Sequence, residues 1–189
     1  MLTPAITHHQ KIEAQLSSGE QVLWSGQPRQ GILFRGADAL MIPFSLMWGG
    51  FAIFWELSVL LSGAPMFFAL WGIPFVIIGL YLIFGRFFFE AKQRANTFYA
   101  VTNERILIIA GMFSQKVKSM NLRTLSDLSL SEGSGDVGTI TFGSGSLFSA
   151  LYGLFPRWPG IGSQVEPCFE LISGAKSVYD IIRAAQRAT

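Results

Sequence analysis

The chain is short of the residues that most chemistry needs. It has one cysteine, Cys168, in 189 residues, which excludes an internal disulfide and a cysteine metal cluster. Its two histidines, His8 and His9, stand side by side near the N-terminus. No acid, base and nucleophile fall together in one recognisable motif. "SGS" at 144–146 lacks the strand-to-helix elbow of a serine hydrolase. "GSGDVG" at 133–138 has no lysine, and no parallel strand leads from it to a helix, so it is not a phosphate loop. The sequence therefore predicts no catalytic residues, no cofactor and no metal site. The expectation is a chain that is not an enzyme and takes no small-molecule substrate. Charge is scarce as well: Asp, Glu, Lys and Arg make up 14% of the residues, against about 25% in an ordinary soluble domain. A net charge of +2 is too small to argue for nucleic acid.

The shortage of charge is local. Between Asp38 and Arg86 there is no Lys or Arg, and Glu56 is the one carboxylate. Residues 39–61 and 65–84 are two apolar runs, each matching the ~20 residues a helix needs to cross a bilayer. Ser62, Gly63 and Ala64 alone separate them, so the expectation is a two-helix transmembrane hairpin. Lys11, Arg29 and Arg35 precede the pair, and Arg86, Lys92, Arg94 and Arg105 follow it. Basic flanks stay inside, which predicts a multi-pass protein of the cell (inner) membrane with both termini cytoplasmic. Arg86, Lys92 and Arg94 are the expected headgroup anchors. The first 38 residues are mostly polar, so no cleaved signal peptide is expected.

Glu56 allows two readings. A carboxylate in a span is a functional candidate by default. It also lies five residues from the end of its run, where tilt would bring it to the outer headgroups and simple hydration. No basic residue in either run can pair with it, so Glu56→Gln is expected to be nearly neutral for membrane insertion and for growth. Gly49, Gly50, Gly72 and Gly79 would let the helices approach closely.

Residues 1–38 form a head, with an amphipathic helix carrying Ile6, Ile12 and Leu16 that stops near Gly19, then a β-like run in "GEQVLWSGQP". After the second run, "GRFFFEAKQRA" continues the helix. From Thr97 the period becomes two, giving strands at about 97–102, 105–110, 114–120, 127–132, 138–143 and 168–172. Tyr99, Val101, Ile106, Ile108, Ile140 and Phe142 supply β-branched and aromatic content. Lys116 and Lys118 share one strand face, turned to solvent or to the anionic leaflet. The chain closes with a helix expected to be capped by Ser173, with Val178, Ile181, Ile182 and Ala185 as its apolar stripe. Residues 96–189 thus read as an α+β, mainly antiparallel β domain.

"YAVTNERILIIAG", the alternating strands after it and "FELISGAKSVYDII" resemble the bacterial pleckstrin-homology-like (PH) domain. "GEQVLWSGQP" ahead of two membrane runs resembles the lead-in of membrane-bound members. The resemblance covers about residues 19–188 and is most specific from Tyr99 to Arg105. It implies two roughly orthogonal antiparallel sheets closed by a C-terminal helix, and a non-catalytic binding or assembly module. The count above gives six strands where that fold has seven; the seventh lies either in 144–166 or in the lead-in. The first hairpin offers Arg105 beside Glu104 and no basic cluster, so phosphoinositide recognition does not carry over.

The segment 144–166 is long for a loop and carries Phe148, Tyr152, Phe155 and Trp158. It is either a membrane or partner contact or a cover for a sheet edge; Pro156 and Pro159 around Trp158 favour the first. Phe148, Tyr152, Phe155, Trp158, Lys116 and Lys118 are the candidate contact residues. The expected partners are the lipid bilayer and a protein partner or a second copy of the chain. The expected function is a membrane-anchored binding or scaffolding module; the alternative is a small oligomeric transport or channel subunit built on the hairpin.

Overall fold

The computed structural model describes residues 10–34, 38–112, 114–125, 127–133, 136–143 and 167–188. The candidate contacts Phe148, Tyr152, Phe155 and Trp158 lie outside the described residues. The chain divides into two compact units. A β domain is assembled from both ends of the chain, up to Gly31 and from Lys92 onward, and a helical unit spans Ile32–Ala91.

Among the described residues the β domain has seven strands in two antiparallel sheets. The first sheet runs β1 (Val22–Gly26), β2 (Thr97–Thr102), β3 (Arg105–Ala110) and β4 (Lys116–Asn121) in that order. The second holds β5 (Leu128–Glu132), β6 (Val137–Phe142) and β7 (Cys168–Ser173). β1 is the seventh strand. It comes from the lead-in and pairs with β2, Ser25 opposite Ala100 and Gly26 opposite Tyr99. A domain starting at residue 96 therefore leaves out an edge strand, and the helical unit is an insertion between β1 and β2.

β2 is buried along its whole length, which explains its lack of polar alternation. A strand covered on both faces reads as a continuous apolar run. On one face Tyr99 and Val101 join Ile106, Ile140, Phe142, Phe169 and Ile172 in the main core. On the other, Phe98 and Ala100 join Leu107 and Ile109 under Ile12 and Leu16 of the N-terminal segment. Phe169 is central: its ring stacks on Tyr99 at 4.6 Å and meets Phe142 edge-on at 4.9 Å.

The last helix, here α4 (Ala175–Ala188), closes the domain with Val178, Ile182 and Ala185 buried in the core. It fits over β6 at Gly138, where an added Cβ would come within 2.7 Å of the Ala175 Cβ. Ser173 is not its cap. It ends β7, and Gly174, at φ 65°, turns the chain into the helix. Only a residue without a side chain makes that turn without strain.

The helical unit is a hairpin of α1 (Asp38–Leu61) and a second helix that runs without a break from Met66 to Ala95. That second helix is α2 (Met66–Leu80), a wider π turn (Tyr81–Gly85) and α3 (Arg86–Ala95). Both helices are long and apolar enough to cross a membrane, and only 17% and 11% of their most apolar windows is buried. Their packed faces hold small and polar residues: Asp38, Ser45, Gly49 and Ala52 on α1, Gly72 and Gly79 on α2. A Cβ at Gly79 would lie 2.8 Å from the Gly49 Cα, so the backbones meet there.

Candidate functional site

The strand register brings several features to one end of the β domain. Gly26, the last residue of β1, faces Tyr99, and Thr97, the first residue of β2, faces Ala110, the last of β3. Ala110 in turn faces Lys116, the first residue of β4. Both crossings into the helical unit leave from here. The first residues of β7 lie against β2: Phe169 stacks on Tyr99, and the Glu170 N–H donates to the Tyr99 hydroxyl at 3.2 Å. Lys116, Val117, Lys118 and Ser119 are all exposed on β4, an edge strand of the sheet. Lys116 and Lys118 fall in the register on the side of Ala110 and Ile108, as expected for two residues sharing a face.

The two crossings are stitched together within the β domain. The Arg94 guanidinium donates to the Gly31 carbonyl at 2.7 Å, and the Gln30 amide donates to the Arg94 carbonyl at 3.4 Å. The Arg29 N–H donates to the Leu171 carbonyl on β7 at 2.8 Å.

The opposite end carries a latch. Glu20 is buried and receives Arg105 through both oxygens, Nε to Oε1 and Nη2 to Oε2, each at 2.8 Å. The Thr102 hydroxyl donates to Oε1 at 2.7 Å and the Ser17 N–H to Oε2 at 2.8 Å. These bonds favour the ionised carboxylate, led by the Arg105 contact, and hold its pKa at about 2. Glu20 pushes the Arg105 pKa upward in return. The Thr102–Arg105 stretch thus holds the lead-in against the first hairpin. Sequence reasoning passed over Glu20. Its signal was a lone acid directly before a β run, which without a known partner reads as a solvated charge.

The three expected headgroup anchors separate. Arg86 is buried and paired with Asp38 at 2.8 Å inside the hairpin. Arg94 is buried in the stitch just described. Lys92 is exposed. Arg86 and Arg94 thus each meet a protein group, the Asp38 carboxylate and the Gly31 carbonyl.

The family model described as bacterial PH domain matches residues 46–185. No curated protein and no solved structure matches the chain.

Proposed function

The chain belongs to the bacterial PH domain family, and from that premise we propose that it is a membrane-anchored, non-catalytic module that recruits a protein or lipid at the cytoplasmic face of the cell membrane. One observation carries this reading. The two apolar helices are inserted between β1 and β2, so they leave the domain at the end that also bears Lys116 and Lys118. A tether of that kind keeps one end of a binding domain close to membrane-held ligands and raises their effective concentration. The large apolar side chains of the helices point outward, Phe51, Phe54 and Phe67 being about two-thirds exposed (66%, 68% and 67%). Such surface is suited to lipid and not to water. Both termini belong on the cytoplasmic side, with Ser62–Ala64 outside.

A pore finds little support, since the helices close on each other at Gly49 and Gly79. The orientation is tested with Cys168→Ser as background. A cysteine at Ser62 should react with a membrane-impermeant maleimide in intact cells or spheroplasts, and one at Ser18 should not; the reverse pattern inverts the topology. Recruitment is tested by a photo-crosslinker in place of Trp158, which should give discrete adducts with lipid or with one protein. Equal, diffuse labelling from Trp158 and from Lys176, exposed on α4, would remove this reading.

A further inference from the structure

The hairpin turns one oxygen of its Glu56 carboxylate inward. Glu56 Oε2 is buried and, among the described residues, has no hydrogen-bond partner. Its place is built for it. A Cβ at Gly72 would overlap Oε2 and would lie 2.5 Å from the Trp55 ring. Carboxylate and indole therefore converge over Gly72, which has no side chain to obstruct them. This geometry does not suit a hydrated headgroup role. Glu56 lies about 7.5 Å along α1 from Leu61, and Gly72 about 10 Å along the chain from Pro65, at 1.5 Å per residue. A long side chain seeking water would reach toward the helix end; this one turns into the seam.

Beside it lies a groove of about 330 Å³ lined by Trp48, Phe51, Ala52, Trp55, Trp71 and Phe75. Trp48 and Trp71 each approach Phe75, at 6.4 and 6.1 Å between ring centres, so aromatic rings link the two helices. Trp55 belongs to both features, as a wall of the groove and a neighbour of the carboxylate. Lipid tails would fill an apolar groove, but they offer nothing to an ionisable oxygen. Aromatic faces and a carboxylate together recognise a cation that has an apolar body, through ring quadrupole and charge at once. The hairpin of a second copy cannot supply one, since no Lys, Arg or His occurs between Asp38 and Arg86.

We infer that Glu56 and this aromatic groove form a binding site for an organic ammonium ion with an apolar body. The inference rests on the membrane-spanning reading of the hairpin. Two sources share that chemistry, a free amphiphilic amine and the ammonium headgroup of a lipid. The site sits inside the helical unit and asks nothing of the β domain.

The test uses the full chain in nanodiscs of phosphatidylglycerol, titrated with decyltrimethylammonium and read by tryptophan fluorescence, with decanol as the uncharged control. The ammonium should give a saturable change that decanol does not. Glu56→Gln should weaken it at least tenfold, and Glu56→Asp should retain most of it. Adding phosphatidylethanolamine should weaken apparent binding if the lipid headgroup is the natural occupant; no effect assigns the site to a free amine. Unsaturable change, or the same curve for wild type and Glu56→Gln at equal helicity, overturns the inference. Carbonate extraction of membranes tests the spanning reading separately. If the chain is released, that reading fails, and the same titration on the released protein still decides the groove.

Discussion

The β domain and the helical hairpin draw on similar apolar residues and arrange them in opposite ways. In the β domain Phe142, Phe169, Ile106 and Ile140 are sealed inside, and the exposed positions of β4 carry Lys and Ser. In the hairpin Phe51, Phe54, Leu61 and Phe67 point outward while Ser45, Gly49, Gly72 and Gly79 meet in the seam. The difference is what the proposed membrane anchoring asks of each unit. In water, burying apolar area drives folding at roughly 25 cal/mol per Å². In lipid that drive between helices vanishes, and close backbone packing through small residues takes its place. A composition half hydrophobic thus describes neither unit well.

The contrast can be broken most severely by cutting the chain. If the β domain is a water-folding unit that needs its lead-in, joining Gly31 to Lys92 through a short Gly-Ser linker should give a detergent-free protein with one cooperative melt. The fragment 96–189, without β1, Glu20 and the Ile12 cover, should show no cooperative melt. A cooperative melt in the short fragment would mean that the lead-in is dispensable.

A smaller effect should follow from opening the latch. Arg105→Ala leaves Glu20 buried without its cation, and breaking such a pair costs about 3–5 kcal/mol. In this domain that is a fall in Tm on the order of 10 °C. Acid should act on the same bond. The carboxyl is held near 2 against an ordinary 4.5, so the folded state binds the proton less readily than the unfolded state. The stabilisation is complete above about 4.5 and fades as pH falls toward about 2. Melts of wild type and Arg105→Ala in the Gly31–Lys92 joined protein should converge as pH falls through that window. A constant gap would place the effect elsewhere.

The smallest change sharpens the hairpin side. Gly79→Leu must push against the Gly49 backbone, whereas Gly50 faces open space. In the full chain in detergent, Gly79→Leu should loosen the hairpin, seen as a red shift and lower denaturant resistance of tryptophan emission. Gly50→Leu should leave it unchanged, and neither should alter the β-domain melt. Equal effects of the two would mean that the seam is not where the helices pack.

The same contrast explains what could be read without coordinates. Local pattern was enough for β2 and β3, whose β-branched and aromatic runs are bounded by turn residues, for α4, which carries a helical period, and for the two apolar helices, because length and missing charge are sequential properties. For β1 it showed a β-like run but not the strand it pairs with. Five residues ending in Ser25-Gly26 become a strand because β2, some 70 positions later, offers its edge. Ser173 looked like a cap because its neighbours did, until the β7 pairing claimed it. Lys116 and Lys118 were legible as one face of a strand; Arg86 and Arg94 were not legible as buried, since their partners Asp38 and Gly31 lie more than 45 residues away.

By itself the sequence determined that the chain has a hairpin fit for a membrane and a β domain closed by a helix, since hydrophobic period and run length are set by nearest neighbours. Tertiary structure alone decided that the hairpin is spliced into the domain, that Glu20 locks to Arg105, and that Glu56 turns into the seam over Gly72. Each of these joins residues at least 16 positions apart in the chain, and the energy of such a contact depends on a partner that no local pattern names.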